Sequence, residues 1–449
     1  MKKTIILLAA VGLCSACCIY KKYEPKQDVP DNLLGQNSYV QQADTVSNLG
    51  QLPWTSLFSD VRLQNLVKRV LQQNADMKTA HLEVEKMQAS LLAAKLAYVP
   101  SVQLNPTYNY QWWDKPSTSL HSYNVGIGGS WQLDIFGQLT TAKRRTAALV
   151  EQAKDFEQAT QAELIASTVY AYYQLTLLDQ QRDILHQTDS IWQVGLKMQS
   201  ALMEAGKSYS TAVDQMRASI YNIHLQQLDI QRAIEQTEHS ICLLLHETPH
   251  SIERCKLIDF QIPEVVGIGV PAALLHNRPD VRAAERSVEA AFYGTRGAYA
   301  AIFPNITISG NFGLTDFDPV GMAASVVASF LQPIFAQGKL HANLKIAKAD
   351  QEEARLAFEK KVLQAGVEVN EALMDCQISK QKVSLFNNQI QSLLSATDGT
   401  HSLMEQGKAT YLEVITAQEA LLNAQLQQAS NYFETINSVL NLYIALGGK

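Results

Sequence analysis

Few residues in this chain have the types and spacing of a catalytic or metal site. His246 and His250 lie four residues apart, as two zinc ligands on one helix can, but Pro249 between them breaks that geometry. The glycine-rich run 126–129 lacks the strand-to-helix junction of a phosphate-binding loop. No Ser-His-Asp, Cys-His or paired-carboxylate arrangement stands out, so we expect no enzyme, no metal and no cofactor.

The six cysteines are the candidates for covalent modification, by acylation or by disulfide formation. Residues 1–16 begin with a basic stretch and continue into an apolar stretch too short to span a membrane, which indicates an export signal peptide. Cys17 follows Ser15 and Ala16, a pattern that resembles the bacterial lipobox, although Cys14 replaces the usual large apolar residue. We expect cleavage before Cys17 and acylation there, palmitate included; an ordinary signal peptide is the alternative.

Cys242 and Cys255 are the candidates for a disulfide. Export places the mature chain in an oxidising compartment, where these two residues could be bridged across the turn between them. Two unpaired, buried thiols are the alternative.

Length and composition exclude several classes of protein. The chain has 449 residues, of which 47% are apolar and 18% charged, as in a globular protein rather than a disordered one. No apolar run after residue 20 reaches the roughly 18 residues of a membrane-spanning helix, which excludes a polytopic helical membrane protein. The net charge is −6 and no basic stripe suits a nucleic acid.

Proline is missing from three long stretches, 54–99, 117–248 and 334–449. Because proline breaks helix interiors, and because these stretches are rich in helix formers, we predict long helices there. A segment such as 138–203 would be about 100 Å long, which suggests a spacer or the wall of a tube. Gly206-Lys207 and Gly407-Lys408 interrupt two of the stretches near their middles.

Apolar residues recur every seven positions in the second and third stretches, which is typical of paired, supercoiled helices. The two series are Val213, Ile220, Ile234 and Ile241, and Ile415, Leu422, Ala429, Ile436 and Tyr443.

The sequence also repeats itself. Residues 206–227 align with 407–428 with seven identities at a constant offset of 201. Internal similarity at a fixed offset predicts two copies of one structural unit. We therefore divide the chain into signal peptide 1–16, an extended lipid-anchored segment 17–52, repeat 53–250, linker 251–270 and repeat 271–449.

Each repeat contains a segment of alternating apolar and polar residues, at about 100–134 and 303–334. One such series is Val102, Leu104, Pro106, Tyr108, Tyr110 and Trp112. Because Pro106 removes a ladder donor, we expect an irregularity there. Alternation over about ten residues with one apolar, aromatic face is typical of membrane β-barrel strands, and soluble hairpins are the alternative. Four strands cannot close, so several chains must contribute; three would give twelve strands and room for a channel.

These features resemble the TolC-like outer-membrane efflux channels, specifically the lipoprotein branch that serves resistance-nodulation-division (RND) pumps. The resemblance covers nearly the whole chain. The matching positions are Tyr23, Pro25, Trp54, Phe58, Asp60, Leu63, Leu66, Asn74 and Asp76; Asp134 to Gly137; Pro271, Leu274, Leu275, Arg278 to Val281, Ala284 and Glu285; Phe303, Pro304, Gln332 to Phe335 and Gly338; and Gly407, Ala417, Gln418 and Leu442 to Gly448.

The resemblance implies a mainly α homotrimer in the outer membrane that extends into the periplasm. A twelve-stranded transmembrane β-barrel, four strands per chain, would continue into a long antiparallel α-helical barrel of coiled-coil pairs. A periplasmic adaptor protein and an inner-membrane RND pump would be its partners, and no nucleic acid is expected. The channel itself would be passive and would export small molecules such as drugs from a Gram-negative cell.

The resemblance also assigns site residues. The two Gly-Lys breaks, Gly206-Lys207 and Gly407-Lys408, would be the periplasmic tips that the adaptor contacts. A periplasmic gate would lie in the returning helix, where Thr416 occupies the position of an Asp in many relatives. Tyr411, Leu412 and Glu413 are the other gate candidates, and a solvated Glu413 is the alternative to a carboxylate ring.

Two other functions fit the same sequence. One is an outer-membrane duct for an ABC-driven type I secretion system, and the other is a pore-less, lipid-anchored coiled-coil spacer. The sequence does not identify the cargo.

Mass spectrometry of the mature protein tests the acylation. We expect a chain that begins at Cys17 and carries acyl groups, and we expect Cys17→Ser to lose them. Cys18→Ser, which changes the adjacent cysteine, is the matched control and should keep them. A wild-type chain that begins elsewhere, or that carries no acyl group, contradicts the prediction.

Overall fold

The computed structural model describes residues 21–25, 52–115, 117–257, 277–317, 320–331 and 338–448. The predicted signal peptide, the acylation site Cys17, most of the extended segment 17–52 and most of the linker 251–270 lie outside the described residues.

Eight helices and four strands make up the described chain, and the order helix, hairpin, long helix, returning helix occurs twice. The helices are α1 (Trp54–Leu57), α2 (Val61–Gln73), α3 (Ala75–Leu96), α4 (Gln138–Glu204), α5 (Ser210–Leu245), α6 (Pro279–Ala300), α7 (Lys339–Glu405) and α8 (Tyr411–Ala445). The strands are β1 (Ser101–Asp114), β2 (Ser117–Leu133), β3 (Asn305–Phe317) and β4 (Val320–Leu331). Since α4 and α7 have 67 residues each, the long helices predicted from the absence of proline are confirmed.

The helix starts follow from local chemistry. Asp60 caps α2 by accepting a hydrogen bond from the backbone N of Arg62 at 2.9 Å. Pro279 is the first residue of α6, where its missing N–H costs nothing, and Asp280 follows in the first turn. The sequence Arg278-Pro279-Asp280 therefore marks the start of α6.

The four strands form one antiparallel sheet in the order β1-β2-β3-β4. The register places Tyr108 opposite Tyr123 and Ile127 opposite Phe312. It places Ile306 opposite Phe330. Because directly opposed residues share a face, the apolar series of all four strands lies on one face of the sheet, as the alternation predicts.

The irregularity that a proline predicts within β1 is absent. Pro106 pairs with Val125 in a continuous register from Ser101 to Asp114. β1 is the edge strand of this sheet, where proline is tolerated because a missing donor can point away from the neighbouring strand. The register shift occurs instead between Thr315 and Phe317.

The chain forms two compact units, and each takes segments from both predicted repeats. The first contains His81–Phe156 and Asp280–Lys361 with the N-terminal segment, and so includes the whole sheet. The second contains Glu157–Pro279 and Val362–Lys449 with the segment that ends at Ala80. Within the described residues, no helix is both long enough and apolar enough to cross a membrane.

The heptad positions form the core of the second unit. All nine residues of the two predicted series are buried, which confirms the predicted seam. One cluster joins α4, α5 and α8 through Leu185, Trp192, Met216, Ile220, Ile223, Ile415 and Leu422.

The last helix is tied to distant parts of the chain in the same unit. The hydroxyl of Tyr443 donates to the carbonyl oxygen of Leu52 at 3.0 Å. The buried guanidinium of Arg278 donates to the carbonyl oxygen of Ala445 at 3.3 Å and to Glu368 at 2.6 Å. A cation at the carboxyl end of a helix is stabilised by the helix dipole.

Candidate functional site

The two Gly-Lys breaks are turns with the same backbone geometry. Gly206 and Gly407 both have φ of +69°, a conformation that glycine adopts readily. Lys207 N donates to the carbonyl oxygen of Leu202, and Lys408 N donates to that of Leu403, both at 2.9 Å. These bonds, with those from the two glycine N–H groups, are Schellman motifs that close the ends of α4 and α7.

Both turns are open to a partner. Gly206, Lys207, Gly407 and Lys408 are exposed, and a Cβ placed on either glycine would meet no atom within 4 Å. Tyr209, just after the first turn, is 82% exposed. The geometry supplies an accessible surface, and its contact with an adaptor stays a prediction.

The four gate candidates lie in the first turns of α8 and divide into two groups. Tyr411 packs against the core cluster, and its hydroxyl donates to Sδ of Met216 at 2.8 Å. Burial raises the pKa of Tyr411 to about 12. Leu412, Glu413 and Thr416 are exposed, so these three side chains can face a pore.

Glu413 has a structural role that sequence reasoning missed. Its carboxylate accepts a hydrogen bond from the backbone N of Thr410 at 3.1 Å, and the Thr410 side chain accepts one from the backbone N of Glu413. This is a capping box, and Thr-x-x-Glu before an apolar run was the signal that could have revealed it. A substitution that removes the cap would also destabilise the start of α8, so it would not test the gate alone.

A cavity of about 270 Å³ adjoins Tyr411 and was not anticipated from the sequence. Met198, Met216, Met404 and His401 are among its lining residues. Methionine side chains are flexible and polarisable, so the cavity can adapt to the packing of neighbouring helices.

The disulfide predicted as one of two alternatives is absent, because Cys242 and Cys255 are both free thiols. Cys242 is buried, and its Sγ accepts a hydrogen bond from the backbone N of His250 at 3.4 Å. Burial raises the pKa of Cys255 to about 11, which keeps this thiol protonated and unreactive. Each sulfur thus has its own environment, in agreement with the alternative of two unpaired thiols.

The two histidines weighed as zinc ligands do not share a continuous helix. α5 ends at Leu245, and His246 has φ of +58°. His250 follows the turn, where its ring contacts Cys242 and Glu247.

A partly buried ion-pair network holds the connecting segment after α5 against α4 and α5. Arg254, whose side chain is 13% exposed, donates to Asp179 and to Glu238, each at 2.5 Å. The partners are 75 and 16 residues away in sequence, so no local pattern could have predicted the network.

Asp60 forms a second polar centre in the same unit. The hydroxyl of Tyr172 donates to its carboxylate, and the backbone N of Cys255 donates to the Tyr172 hydroxyl at 3.0 Å. Burial alone would raise the pKa of Asp60, but the hydrogen bonds from Tyr172 and Cys255 outweigh it and hold the pKa below its usual value. The cap of α2 is thereby joined to α4 and the connecting segment.

Comparison with known proteins decides the family. The family described as outer membrane efflux protein matches residues 66–245 and 270–448, which is most of the chain. The chain belongs to the outer membrane efflux protein family. The resemblance to TolC-like channels inferred from the sequence is confirmed.

Other outer membrane efflux proteins are similar along nearly their whole length. The cation efflux system protein CusC of Escherichia coli O6:H1 is 27% identical over 462 residues, covering 99% of this chain and 97% of CusC. The solvent efflux pump outer membrane protein SrpC of Pseudomonas putida is 25% identical over 470 residues, covering 100% and 98%. The solved outer-membrane channel OprN superposes with a TM-score of 0.86 at 25% identity, covering 95% of this chain and 99% of OprN.

The tip turns of this outer membrane efflux protein give a direct stability test. We expect Gly407→Ala to destabilise the protein by about 1 kcal/mol, because a side chain disfavours positive φ. Gly399→Ala is the matched control: Gly399 lies inside α7 with no neighbouring atom within 4 Å of a built Cβ. That change should stabilise by roughly 0.5–1 kcal/mol, since alanine favours a helix interior.

The measurement is the midpoint of thermal unfolding of both variants against the wild type. A midpoint for Gly407→Ala at or above that of Gly399→Ala would contradict the strained-turn assignment.

Proposed function

We propose that this chain is the exit channel of an efflux pump in the outer membrane, passive in itself, through which small molecules leave the cell. The observation that carries the proposal is the sheet. Its register gathers apolar side chains of four strands on one face, and many of these are exposed, including Val102, Leu104 and Phe330. An apolar face of this extent is unfavourable in water, and contact with lipid tails would bury it.

The opposite face suits a wet lumen. From β1 it carries Ser101, Gln103, Asn105, Thr107, Asn109 and Gln111, with the aromatic Trp113 near the end of the strand. β4 is less uniform, because Val327 and Leu331 lie on this face, opposite Ser309 and Asn305. None of these side chains is charged, so the sheet can pass polar solutes without strong selection by charge.

The two edges of the sheet support assembly with other copies of the chain. β1 and β4 are its two edges, and an unpaired strand edge is not tolerated in lipid. Three copies would supply twelve strands, which leaves room for a channel, whereas eight strands are filled by their own side chains. We therefore propose a homotrimer with a twelve-stranded transmembrane barrel.

The helices support the same assembly. Within the second unit, α7 carries exposed apolar residues spaced by four and seven: Leu363, Val367, Met374, Ile378 and Leu385. Such a stripe is typical of a helix that packs against another helix. We propose that neighbouring chains cover it in a helical barrel of twelve helices, four from each chain.

An internal duplication accounts for the repeated order of elements. The family matches the chain in two separate segments, and the sequence similarity between 206–227 and 407–428 falls at the two tips. In this proposal repeats 53–250 and 271–449 descend from one unit, joined by the linker 251–270. Each repeat supplies one hairpin and one pair of long helices.

The proposed partners follow from the relatives, which are named as components of cation and solvent efflux systems. We propose a periplasmic adaptor at Gly206-Lys207 and Gly407-Lys408, an RND pump in the inner membrane, and a lipid anchor on Cys17. Because the named cargoes of the relatives differ, the proposal extends only to small molecules as a class. It includes no enzymatic step.

Two substitutions at adjacent positions of β3 test the channel. Ile308 lies on the apolar face opposite Trp131, and Ser309 lies on the polar face opposite Ser130. An arginine on the lipid face costs about 2–4 kcal/mol near the middle of the membrane, whereas a lumen position is tolerated. We expect Ile308→Arg to abolish insertion and Ser309→Arg to insert and shift selectivity towards anions.

The measurement is ion conductance in planar bilayers, with the oligomeric state in detergent determined in parallel. Wild-type protein that is monomeric and leaves liposomes sealed would overturn the proposal, as would equal insertion of the two variants.

Glu413→Gln tests the gate apart from the helix cap. Glutamine also completes a capping box, so the variant should unfold at the wild-type temperature. If Glu413 rings the pore, loss of the charges should raise the relative permeability to anions in the same bilayers. Thr410→Ala, which removes the reciprocal cap, is the control for loss of helix stability. Unchanged ion selectivity in Glu413→Gln would assign Glu413 to the cap alone.

A further inference from the structure

Basic side chains gather where the helices of the first unit approach the sheet. Four stretches beside the strand ends, 87–100, 135–150, 290–304 and 338–349, contain eight Lys and Arg residues and no Asp or Glu. Asp134, Glu151, Glu289 and Asp350 border these stretches, so basic residues outnumber acidic ones by eight to four when the four bordering positions are added. The eight residues, named here the basic belt, are Lys95, Lys143, Arg144, Arg145, Arg296, Lys339, Lys345 and Lys348.

The belt occupies a narrow band along the helices. Lys95 lies in the last turn of α3 and Arg296 in the last two turns of α6, just before β1 and β3. The others lie in the first turns of α4 and α7, which follow β2 and β4. At 1.5 Å per residue, the most distant, Lys348, is about 14 Å from the end of its helix.

Six of the eight side chains are exposed, and the other two are partly so. The nearby carboxylate of Asp134 accepts hydrogen bonds from the backbone N of Leu139 and of Thr140, both at 2.8 Å, so it caps α4. The belt therefore presents a net positive charge at the margin of the sheet, in a chain whose net charge is −6.

Aromatic rings lie at the same level. Lys143 Nζ is 5.5 Å from the centre of the Tyr98 ring, and Arg296 is 5.0 Å from that of Phe292. The indole N of Trp131 donates to the carbonyl oxygen of Tyr98 at 2.9 Å. Tyrosine and tryptophan with lysine and arginine are typical of the boundary between lipid tails and head groups.

We propose that the basic belt binds the head groups of anionic phospholipids in the leaflet beside the helices. The inference rests on the proposed function, since it needs the apolar face of the sheet in a membrane. Lys and Arg are the natural partners of phosphodiester oxygens. An acidic protein would also meet positive charge, but it would not explain why the belt adjoins both the apolar face and the aromatic rings.

The test uses the full-length protein in nanodiscs made from equal amounts of phosphatidylglycerol and phosphatidylcholine. The protein is then extracted in mild detergent, and the lipids that stay bound are quantified. We expect the bound lipid to contain roughly five times as much phosphatidylglycerol as phosphatidylcholine. A factor of about five is what one basic residue near an anionic surface contributes. The combined variant Lys143→Gln, Arg145→Gln, Lys345→Gln and Lys348→Gln should lose most of this enrichment.

The control neutralises three lysines elsewhere in the chain. Lys197→Gln, Lys256→Gln and Lys380→Gln alter exposed residues of the second unit and should keep the enrichment. Salt gives a second readout that needs no variant. Raising ionic strength from about 0.1 M to about 1 M shortens the Debye length from about 10 Å to about 3 Å and should reduce the enrichment.

Three results would overturn the proposal: no enrichment by the wild type, enrichment kept in the combined variant, or displacement of the lipid by inorganic phosphate. The last would identify a site for free phosphate rather than for a lipid surface. Wild-type protein that conducts ions in bilayers but shows no enrichment refutes the belt alone, whereas protein that never inserts refutes the channel. If the combined variant does not assemble, the salt dependence of the wild type decides.

Discussion

The pairing register of the four strands is the constraint on which the rest of the structure depends. Side chains alternate between the faces of a strand, so a slip of one residue between β2 and β3 would move Ile127 and Phe312 to opposite faces. The observed register keeps every apolar series together and leaves β1 and β4 as edges. In the proposed channel, lipid would cover the apolar face and strands of other copies would pair with the two edges.

The ends of the helices are set by hydrogen bonds between residues that lie close together in sequence. Schellman motifs end α4 and α7 at Gly206 and Gly407, and a capping box begins α8 at Thr410. These bonds satisfy backbone groups that a helix end otherwise leaves unpaired. The returning helices are thus placed by their own turns, which leave Lys207 and Lys408 exposed.

Much of the fold could be predicted because its patterns are local and periodic. Alternation over ten residues gave the strand faces, and the heptad series from Ile415 to Tyr443 gave the buried seam of α8. The Arg254 network could not be predicted, because its three members meet only after the chain has folded. The irregularity expected at Pro106 was wrong because the sequence does not reveal which strand is an edge. The disulfide failed for a similar reason: spacing allowed it, but the separate surroundings of Cys242 and Cys255 left both thiols free.

The hydrogen bond between Tyr443 and Leu52 joins positions 391 residues apart. Because a chain is synthesised from its amino end, the carbonyl oxygen of Leu52 is made long before the Tyr443 hydroxyl that donates to it. This bond therefore forms only once the final helix is complete, whereas the cap of α2 needs no more than α4 and the segment after α5.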